Sequence, residues 1–469
     1  MKVKIYGLIR SGTNYLEKLI ENHGIEVLFD GKTLDKPWKH GVPIKCADVD
    51  KHICIVKDPY AWKVSERCHS EDITEIIQTI RDWNFLVGEY KKKEASDPSN
   101  WCVIKYFDLI LGDFSKLESF LGIELKEKTV SQKMLYSRNL SSFKFKADFY
   151  LNGEYLNFLT KGDLNDLKGI EHEEFIENPL PENHKPALTL AAAATGHGDA
   201  IMAAQLAFSL EKSLDRKVIL YTVKHKTASL WLGNASRPLT KAEPDSILIN
   251  GWFTGEKSHL GKQTFDKARL DLYKQQLPPE LQNFDFVIPE LDTTLPETEK
   301  YDVCLFPFST DPARTYPRKH WLKIYEELSK DFNVVIVGKA DVDYKDWGNC
   351  KIERCSDIYY PIGLIQNAKL TIGNDSGPVH FAGMLKKPAL ALLGIYSGET
   401  LYHGIPSVSW ITHKSECSYC FNLAEKGYTH LRCNSKCDVL FDLDPLKVAE
   451  AAKKILYDNR LQIQGCELT

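Results

Sequence analysis

A polar turn with two glycines lies between two apolar runs, and its residue types suit the binding of phosphate. Residues 373–380 read Gly-Asn-Asp-Ser-Gly-Pro-Val-His, after an apolar run at 370–372 and before an amphipathic segment at 381–385. This order predicts a buried strand, a turn and the start of a helix, where backbone N–H groups and the helix dipole attract an anion. A second apolar run at 388–394 completes a strand-helix-strand unit. The pattern therefore predicts a site for the diphosphate of a nucleotide.

An acidic residue follows a second turn of small residues. Residues 188–193 form an apolar run, and the turn after it ends in Gly198 and Asp199. Glycines let a substrate approach the backbone, and a carboxylate is favoured in the first turn of a helix. The residues alone leave two interpretations of Asp199 open. It is either a cap of the helix, which is the simpler interpretation, or a general base.

Residues 373–394 resemble the signature of glycosyltransferase family 9, the heptosyltransferase-like enzymes of bacterial surface polysaccharide assembly. The likeness extends loosely over residues 187–455 and includes the turn with Gly198 and Asp199. It implies a GT-B fold, in which two Rossmann-like lobes face each other and ligands lie at the carboxyl ends of the strands. It also implies that Asp199 is the general base. The carboxylate would deprotonate the acceptor hydroxyl for in-line, inverting attack on the anomeric carbon of the sugar.

A third block, at residues 306–310 and 314–321, extends the resemblance to the phosphates of the donor. Family members carry a cation, usually Lys, just before an aromatic-proline pair, and this chain has Arg314 at that place. An arginine can clamp phosphate oxygens with its forked guanidinium, so the exchange is chemically tolerable. We interpret the neighbouring Arg318 and Lys319 as a solvated helix start.

The resemblance implies that residues from all three blocks hold a nucleotide-sugar donor. Asp375 would lie at the sugar, Ser376 and Gly377 at the diphosphate, and His380 along the same pocket. Residues 338–339, Gly-Lys, stand where many relatives have Gly-Gly, which leaves the nucleobase open. The predicted donor-binding residues are Gly198, Ser309, Thr310, Arg314, Asp375, Ser376, Gly377, Pro378 and His380.

The N-terminal part predicts a second phosphate site. The loop after the apolar run at 3–8 opens a helix but lacks the spacing of a Walker loop. It resembles the loop with which sulfotransferases hold the 5′-phosphosulfate of PAPS. That family binds the 3′-phosphate with a basic residue and a serine eight positions later, a spacing kept at 57 and 65. The predicted cofactor-binding residues are Arg10, Ser11, Gly12, Thr13, Asn14, Lys57 and Ser65.

The sulfotransferase resemblance implies the fold more firmly than the activity. Lys57 replaces the more usual Arg, and the Gly- and Lys-containing segment that covers the nucleotide in many relatives has no clear counterpart. The candidate base is His40, with Lys39 nearby to stabilise the transferring sulfuryl group. The alternatives are that His40 is a satisfied loop histidine, and that the whole domain is a non-catalytic module that binds the acceptor.

Four of the twelve cysteines are clustered. Their Cys-x2-Cys-x12-Cys-x3-Cys spacing is that of a structural zinc site closing a short loop. The competing interpretations are a redox-labile or disulfide pair, or free thiols. The remaining eight cysteines are scattered, and we interpret them as reduced thiols. The predicted zinc ligands are Cys417, Cys420, Cys433 and Cys437.

Composition indicates an ordinary globular protein. The 469 residues are 43% hydrophobic and 26% charged, with a net charge of −4, which weighs against nucleic acid as a partner without excluding it. No apolar run is long enough to span a bilayer, and the first residues do not read as a signal peptide, so a cytoplasmic protein is expected. The α/β pattern predicts a P-loop sulfotransferase-like domain at residues 1–140 and a linker with covering elements at 141–185. A GT-B acceptor lobe is predicted at 186–295 and a GT-B donor lobe at 296–460.

These patterns predict a bifunctional carbohydrate-modifying enzyme. The C-terminal module would transfer a sugar to a glycan or lipid-linked saccharide without a further cofactor, and the N-terminal module would use PAPS to sulfate a glycan hydroxyl. A glycosyltransferase with a non-catalytic N-terminal domain is the first alternative. Transfer to a non-glycan hydroxyl, such as that of a modified nucleobase, is the second.

Overall fold

The computed structural model describes residues 1–7, 12–28, 42–43, 45–46, 48–67, 79–125, 147–193, 196–249, 269–402, 404–415, 418–419, 437–457 and 467–468. The chain divides into two compact units. The first comprises Met1–Thr189, Leu214–Tyr221 and Asn234–Ser246, and the second comprises Leu190–Ser213, Thr222–Gly233 and Ile247–Thr469. Each unit is an arrangement of parallel strands and helices, which confirms the prediction of a mixed α/β protein.

Fifteen strands are present in the described part of the chain. In chain order, β1 to β15 are Lys2–Gly7, Glu26–Val27, Lys51–Val56, Trp101–Lys105, Leu188–Ala192, Val218–Thr222, Ser236–Pro238, Ile247–Ile249, Val303–Phe306, Val334–Lys339, Ile352–Cys355, Leu370–Asn374, Ala389–Leu392, Val408–Ile411 and Glu467–Leu468.

Sixteen α-helices accompany these strands over the same described residues. In chain order, α1 to α16 are Thr13–Glu21, Pro59–Arg67, Ile80–Ser96, Tyr106–Leu111, Ser115–Leu121, Ala147–Leu151, Lys161–Asp166, His197–Leu214, His225–Leu232, Arg269–Lys274, Arg318–Leu328, Tyr359–Asn367, Gly377–Met384, Gly398–Tyr402, Asp438–Asp442 and Pro445–Tyr457. None of the helices described combines the length and apolar character that a membrane span requires.

The sheet of the first unit has the order β2-β1-β3-β4, with all pairs parallel. Its three longer strands, β1, β3 and β4, are almost entirely buried, as parallel strands covered on both faces usually are. Leu16, Leu19 and Ile20 of α1 are fully buried in the same cluster as the strands, so the helix packs its apolar face on this sheet.

Residues 147–175, within the predicted linker, supply part of the core of the first unit. Phe149, Tyr155 and Leu159 pack in the same buried cluster as the first strand. A buried ion pair holds the segment as well: Nη1 of Arg237 lies 3.2 Å from Oδ2 of Asp163, and both side chains are fully buried. These contacts make the segment an integral part of the first unit.

The large sheet of the second unit has the order β11-β10-β9-β12-β13-β14-β15, again parallel. In the same unit the last three residues of β5 pair with β8, with Leu190 opposite Ile247. The strand order places the carboxyl ends of β9 and β12 side by side, since these strands are neighbours. Ligands of parallel sheets bind at such ends, and the loops that follow β9 and β12 carry the predicted donor residues.

Candidate functional site

The turn that follows β12 is fixed by the buried side chain of Asn374. Its Nδ2 donates to the carbonyl of Pro307 at 2.8 Å, and its Oδ1 accepts from the backbone N–H of Tyr316 at 3.1 Å. Asn374 thus ties the turn to the loop after β9 and to the segment before α11. The hydroxyl of Ser376 donates to the carbonyl of Asn374 at 3.2 Å. Sequence reasoning did not assign Asn374 a role, although a polar residue at the end of a buried strand was a visible signal.

Arg314 lies beside the same turn. Its Nη1 is 3.3 Å from the carbonyl oxygen of Asp375 and 3.5 Å from its Oδ2, and its Nε is 3.5 Å from Oδ2 of Asp311. Burial acts to lower the pKa of Arg314, but Asp375, followed by Tyr396 and Asp311, outweighs it, and the pKa is raised. The guanidinium is therefore charged and held in place, while 28% of its side chain remains exposed.

The predicted residues of the loop after β9 lie close to Arg314 in the chain. Ser309 Oγ accepts from the backbone N–H of Asp311 at 3.3 Å, and the exposed Thr310 stands between them. Asp311 caps the short helix with Arg314, because its Oδ1 accepts from the N–H of Ala313 at 2.9 Å. The structure thus brings Arg314 together with Asp375 and places Ser309 and Thr310 on the adjoining loop.

The first turns of α8 and α13 are in contact within the second unit. A Cβ on Gly198 would lie 2.7 Å from Cδ2 and 3.0 Å from Nε2 of His380, so the buried ring packs directly on the Gly198 backbone. A Cβ on Gly377 would lie 3.1 Å from the Cβ of His197. The N-terminal ends of the two helices therefore meet, and both ends favour negative charge.

Asp199 is in the first turn of α8, next to the glycine that carries this contact. A Cβ on Gly196 would lie 2.9 Å from Oδ2 of Asp199, so the carboxylate folds back over the start of the helix. The side chain is only partly buried. This position agrees with a helix cap and leaves the carboxylate within reach of a ligand at the two helix ends.

His197 is a residue of this region that sequence reasoning missed. Its Nδ1 is 2.7 Å from Oγ1 of Thr227 in α9, and its ring lies 6.3 Å from that of Phe381. Burial, and then the charges of Lys224 and Lys339, lower the pKa of His197. The imidazole is therefore neutral at pH 7. No sequence motif marked this histidine, because its contacts come from a helix about thirty residues away.

In the first unit the two predicted 3′-phosphate ligands are in contact. Lys57 Nζ donates to Ser65 Oγ at 2.6 Å and lies 4.2 Å and 4.8 Å from the ring centres of Tyr150 and Tyr106. Lys57 is 3% exposed. Ser65 Oγ donates in turn to the carbonyl of Ala61 at 2.9 Å. A buried ammonium between two aromatic rings is stabilised by the ring faces.

The remaining N-terminal predictions are only partly described. Gly12 has a φ of 95° and packs on Tyr106, since a Cβ there would lie 2.5 Å from Cδ2 of that ring. Thr13 is buried at the start of α1. The predictions that lie outside the described residues are Arg10, Ser11, the side chain of Asn14, and His40.

The predicted zinc ligands also fall largely outside the described residues, which include Cys437 but not Cys417, Cys420 or Cys433. Cys437 packs against the turn after β13, because a Cβ on Gly394 would lie 2.6 Å from its Sγ. No group of three or more metal-binding side chains occurs among the residues that the structure describes.

Residues 258–423 match the family model described as glycosyltransferase family 9 (heptosyltransferase). The matched range contains Arg314 and the turn at 375–377 but not Asp199. No curated protein matches the chain.

Three solved structures are among those similar to this chain. The ADP-heptose lps heptosyltransferase II of E. coli is 16% identical, with a TM-score of 0.38 over 58% of this chain and 99% of its own. The family 9 glycosyl transferase of Veillonella parvula DSM 2008 is 13% identical, with a TM-score of 0.43, and the match covers 58% of this chain and 98% of that one. The iron-containing heptosyltransferase TibC of E. coli, in complex with ADP-D-beta-D-heptose, is 14% identical, with a TM-score of 0.43 over 59% and 80%.

Proposed function

We propose that this protein, a glycosyltransferase by its family 9 domain at residues 258–423, moves a sugar from a nucleotide-sugar donor to a hydroxyl acceptor with inversion. The observation that supports the proposal is the meeting of two helix N-termini. The Gly198 backbone packs against His380, and the turn that precedes α13 carries Asp375 beside Arg314.

The roles of the residues follow from their chemistry. The diphosphate of the donor would bind at Ser376 and Gly377, where N–H groups at the start of α13 are directed at an anion. Arg314 would contribute a fixed positive charge there. Asp375 would lie toward the sugar, and Pro378 starts the helix without an N–H that needs a partner.

Asp199 would act as the general base. As the acceptor oxygen bonds to the anomeric carbon, the acceptor proton passes to the Asp199 carboxylate and the bond from carbon to the phosphate oxygen breaks. The nucleoside diphosphate leaves with the electrons of that bond. Its added negative charge would be stabilised by Arg314 and the two helix ends.

A glycan or a lipid-linked saccharide is the acceptor we propose, in a GT-B arrangement. The family description names heptosyltransferases, so a nucleotide-linked heptose is the first donor to test. Thermal-shift measurements on the full chain with ADP, UDP and GDP should show stabilisation by one diphosphate, because a ligand of the folded state raises its apparent stability. Transfer assays with sugars linked to that nucleotide follow. The proposal fails if no nucleoside diphosphate stabilises the protein and no sugar nucleotide is consumed.

A second activity is proposed for the N-terminal P-loop sulfotransferase-like domain, with PAPS as cofactor. The contact between Lys57 and Ser65 supports it, because both groups could bond to one phosphate. His40 remains the proposed base. The competing proposal is a non-catalytic, acceptor-binding module. Structural zinc at the four clustered cysteines also stays a proposal, and elemental analysis of protein purified without added metal would test it.

A further inference from the structure

His197 lies where the first turns of α8 and α13 meet. Its Cβ is 3.1 Å from the position of a Cβ on Gly377, in the turn proposed for the diphosphate. The ring lies near Phe381, which stacks on Trp231 with ring centres 5.9 Å apart. Despite these contacts the residue is exposed to solvent. The imidazole is thus positioned by its neighbours while it remains accessible to a ligand.

The hydrogen bond with Thr227 determines which ring nitrogen carries the proton. Thr227 is 1% exposed, and a buried hydroxyl proton needs an acceptor. The partner of Oγ1 within the described residues is Nδ1 of His197, at 2.7 Å. Thr227 therefore donates, Nδ1 accepts, and a neutral ring carries its proton on Nε2. Nε2 is also the nitrogen with no bond to the described part of the chain.

The charged groups around the ring favour this neutral form. Lys224 precedes α9 and Lys339 ends β10, and both lower the pKa of His197, together with burial. Asp199 follows His197 by two residues in the first turn of α8. The ring therefore presents an N–H donor at the turn proposed for the diphosphate, in the electrostatic field of two ammonium groups.

We propose that the Nε2–H of His197 donates a hydrogen bond to the β-phosphate of the departing nucleoside diphosphate. This inference rests on the proposed function. When the bond between the anomeric carbon and the β-phosphate oxygen breaks, the electron pair stays on that oxygen. His197 keeps its proton and stabilises the new charge, while the proton of the acceptor goes to Asp199. Thr227 is a positioning residue that sets the tautomer.

The test compares nucleotide pairs that differ by the β-phosphate. Titration calorimetry would give the Kd of ADP, UDP and GDP and of the matching monophosphates for the full chain. In His197→Ala the diphosphate that binds should lose about tenfold or more in affinity, as expected for a hydrogen bond to a charged group, while its monophosphate changes less than about twofold. His197→Gln should recover most of the loss, because its amide can place an N–H near the position of Nε2.

Two further measurements separate this role from a structural one. The ¹⁵N shifts of the His197 ring should identify the Nε2–H tautomer in the wild type and a mixture of tautomers in Thr227→Val. His184→Ala, which changes a histidine of the first unit, should leave every Kd unchanged. Thermal unfolding of each variant checks that it is folded.

Equal loss of diphosphate and monophosphate affinity, or no loss, in a folded His197→Ala overturns the inference and leaves the proposed function standing. An Nδ1–H tautomer in the wild type also overturns it. If no nucleoside diphosphate binds the wild type, the proposed function itself fails and the inference with it.

Discussion

The ring of His380 occupies the space that a side chain on Gly198 would need. Its Cδ2 lies 2.7 Å from the ideal Cβ position, closer than real Cβ atoms approach a neighbour. The ring is 3% exposed and also packs beside Tyr402 at 5.0 Å, so it has little room to withdraw. Gly198 is therefore required for the close approach of α8 and α13, on which the proposed site depends.

Gly198→Ala should push the two helix ends apart. Overpacking of this kind costs about 1–3 kcal/mol, and we expect nucleoside diphosphate affinity and turnover to fall together. Calorimetry and a transfer assay measure the two effects. Gly88→Ala is the matched control, because Gly88 also faces a histidine ring, but its Cβ would meet Nε2 of His172 at an ordinary 3.4 Å. Unchanged binding in Gly198→Ala would contradict the importance of this contact.

Asp199→Asn should separate catalysis from donor binding. The amide keeps a side-chain oxygen that can cap the N-terminus of the helix, but it cannot take up the proton of the acceptor hydroxyl. Turnover should therefore fall by about a hundredfold or more. The Kd of the donor should stay nearly the same. Normal turnover with a lower unfolding temperature would instead assign Asp199 the role of a helix cap alone.

Arg314→Ala should weaken nucleoside diphosphate binding by about 1.5–3 kcal/mol, the range for hydrogen bonds to charged groups. Loss of the guanidinium also leaves the Asp375 carboxylate, 3.5 Å away, without its counter-charge. Arg318→Ala is the control, because that side chain pairs with Asp346 at 2.7 Å on the exposed surface. Ion pairs on the surface contribute little to stability, so the Kd of the nucleoside diphosphate should not change in this control variant. An unchanged Kd in Arg314→Ala would remove Arg314 from the site.

His52 should make the stability of the protein depend on pH. The ring is fully buried, stacks on Trp101 at 4.2 Å, and has no hydrogen-bond partner among the described residues. Burial, and then the charge of Lys45, lowers the pKa of His52 to about 4. The pKa of an unperturbed histidine is near 6.5, so between about pH 6.5 and pH 4 the His52 ring is protonated in the unfolded state and neutral in the folded state.

The free energy of unfolding should therefore decrease as the pH falls through this window, by up to about 3 kcal/mol from His52. His52→Phe keeps a ring against Trp101 and removes the titrating group. Denaturant unfolding at pH 7 and at pH 4.5 should show a smaller decrease in the variant than in the wild type. Identical pH dependence of the two proteins would mean that His52 is charged or exposed in solution.

Local patterns were sufficient to predict much of the fold. The apolar run at 370–372 lies in strand β12 and the run at 388–394 contains strand β13, as predicted, since parallel strands covered on both faces are continuously apolar. Strand β11, at the edge of the large sheet, was not predicted, because its residues are largely half-exposed and include both apolar and charged types. In the site, Arg314 and Asp375 could be placed together from family blocks. The contact of His197 with Thr227 could not, because it depends on how α8 packs against α9.

The last prediction concerns the N-terminal domain and 3′-phosphoadenosine 5′-phosphate. Lys57 has no ion pair with a described carboxylate, and its Nζ donates a hydrogen bond to Ser65 Oγ at 2.6 Å. A phosphate at this place would supply the missing negative charge. We expect the full chain to bind this nucleotide more tightly than AMP, which lacks the 3′-phosphate. The full chain is needed because Tyr150, at 4.2 Å from Lys57, belongs to the segment after residue 140.

Lys57→Met should reduce the preference for the 3′-phosphate by about tenfold or more, and the double variant with Ser65→Ala should abolish it. Lys63→Met is the matched control, because Lys63 is a buried lysine of α2, the helix that carries Ser65, and already pairs with Asp166 at 2.9 Å. That variant should lose stability but keep the preference. Titration calorimetry with both nucleotides measures each case. If the wild type binds the two nucleotides equally, or binds neither, the domain has the fold without the cofactor, and the acceptor-binding module becomes the better proposal.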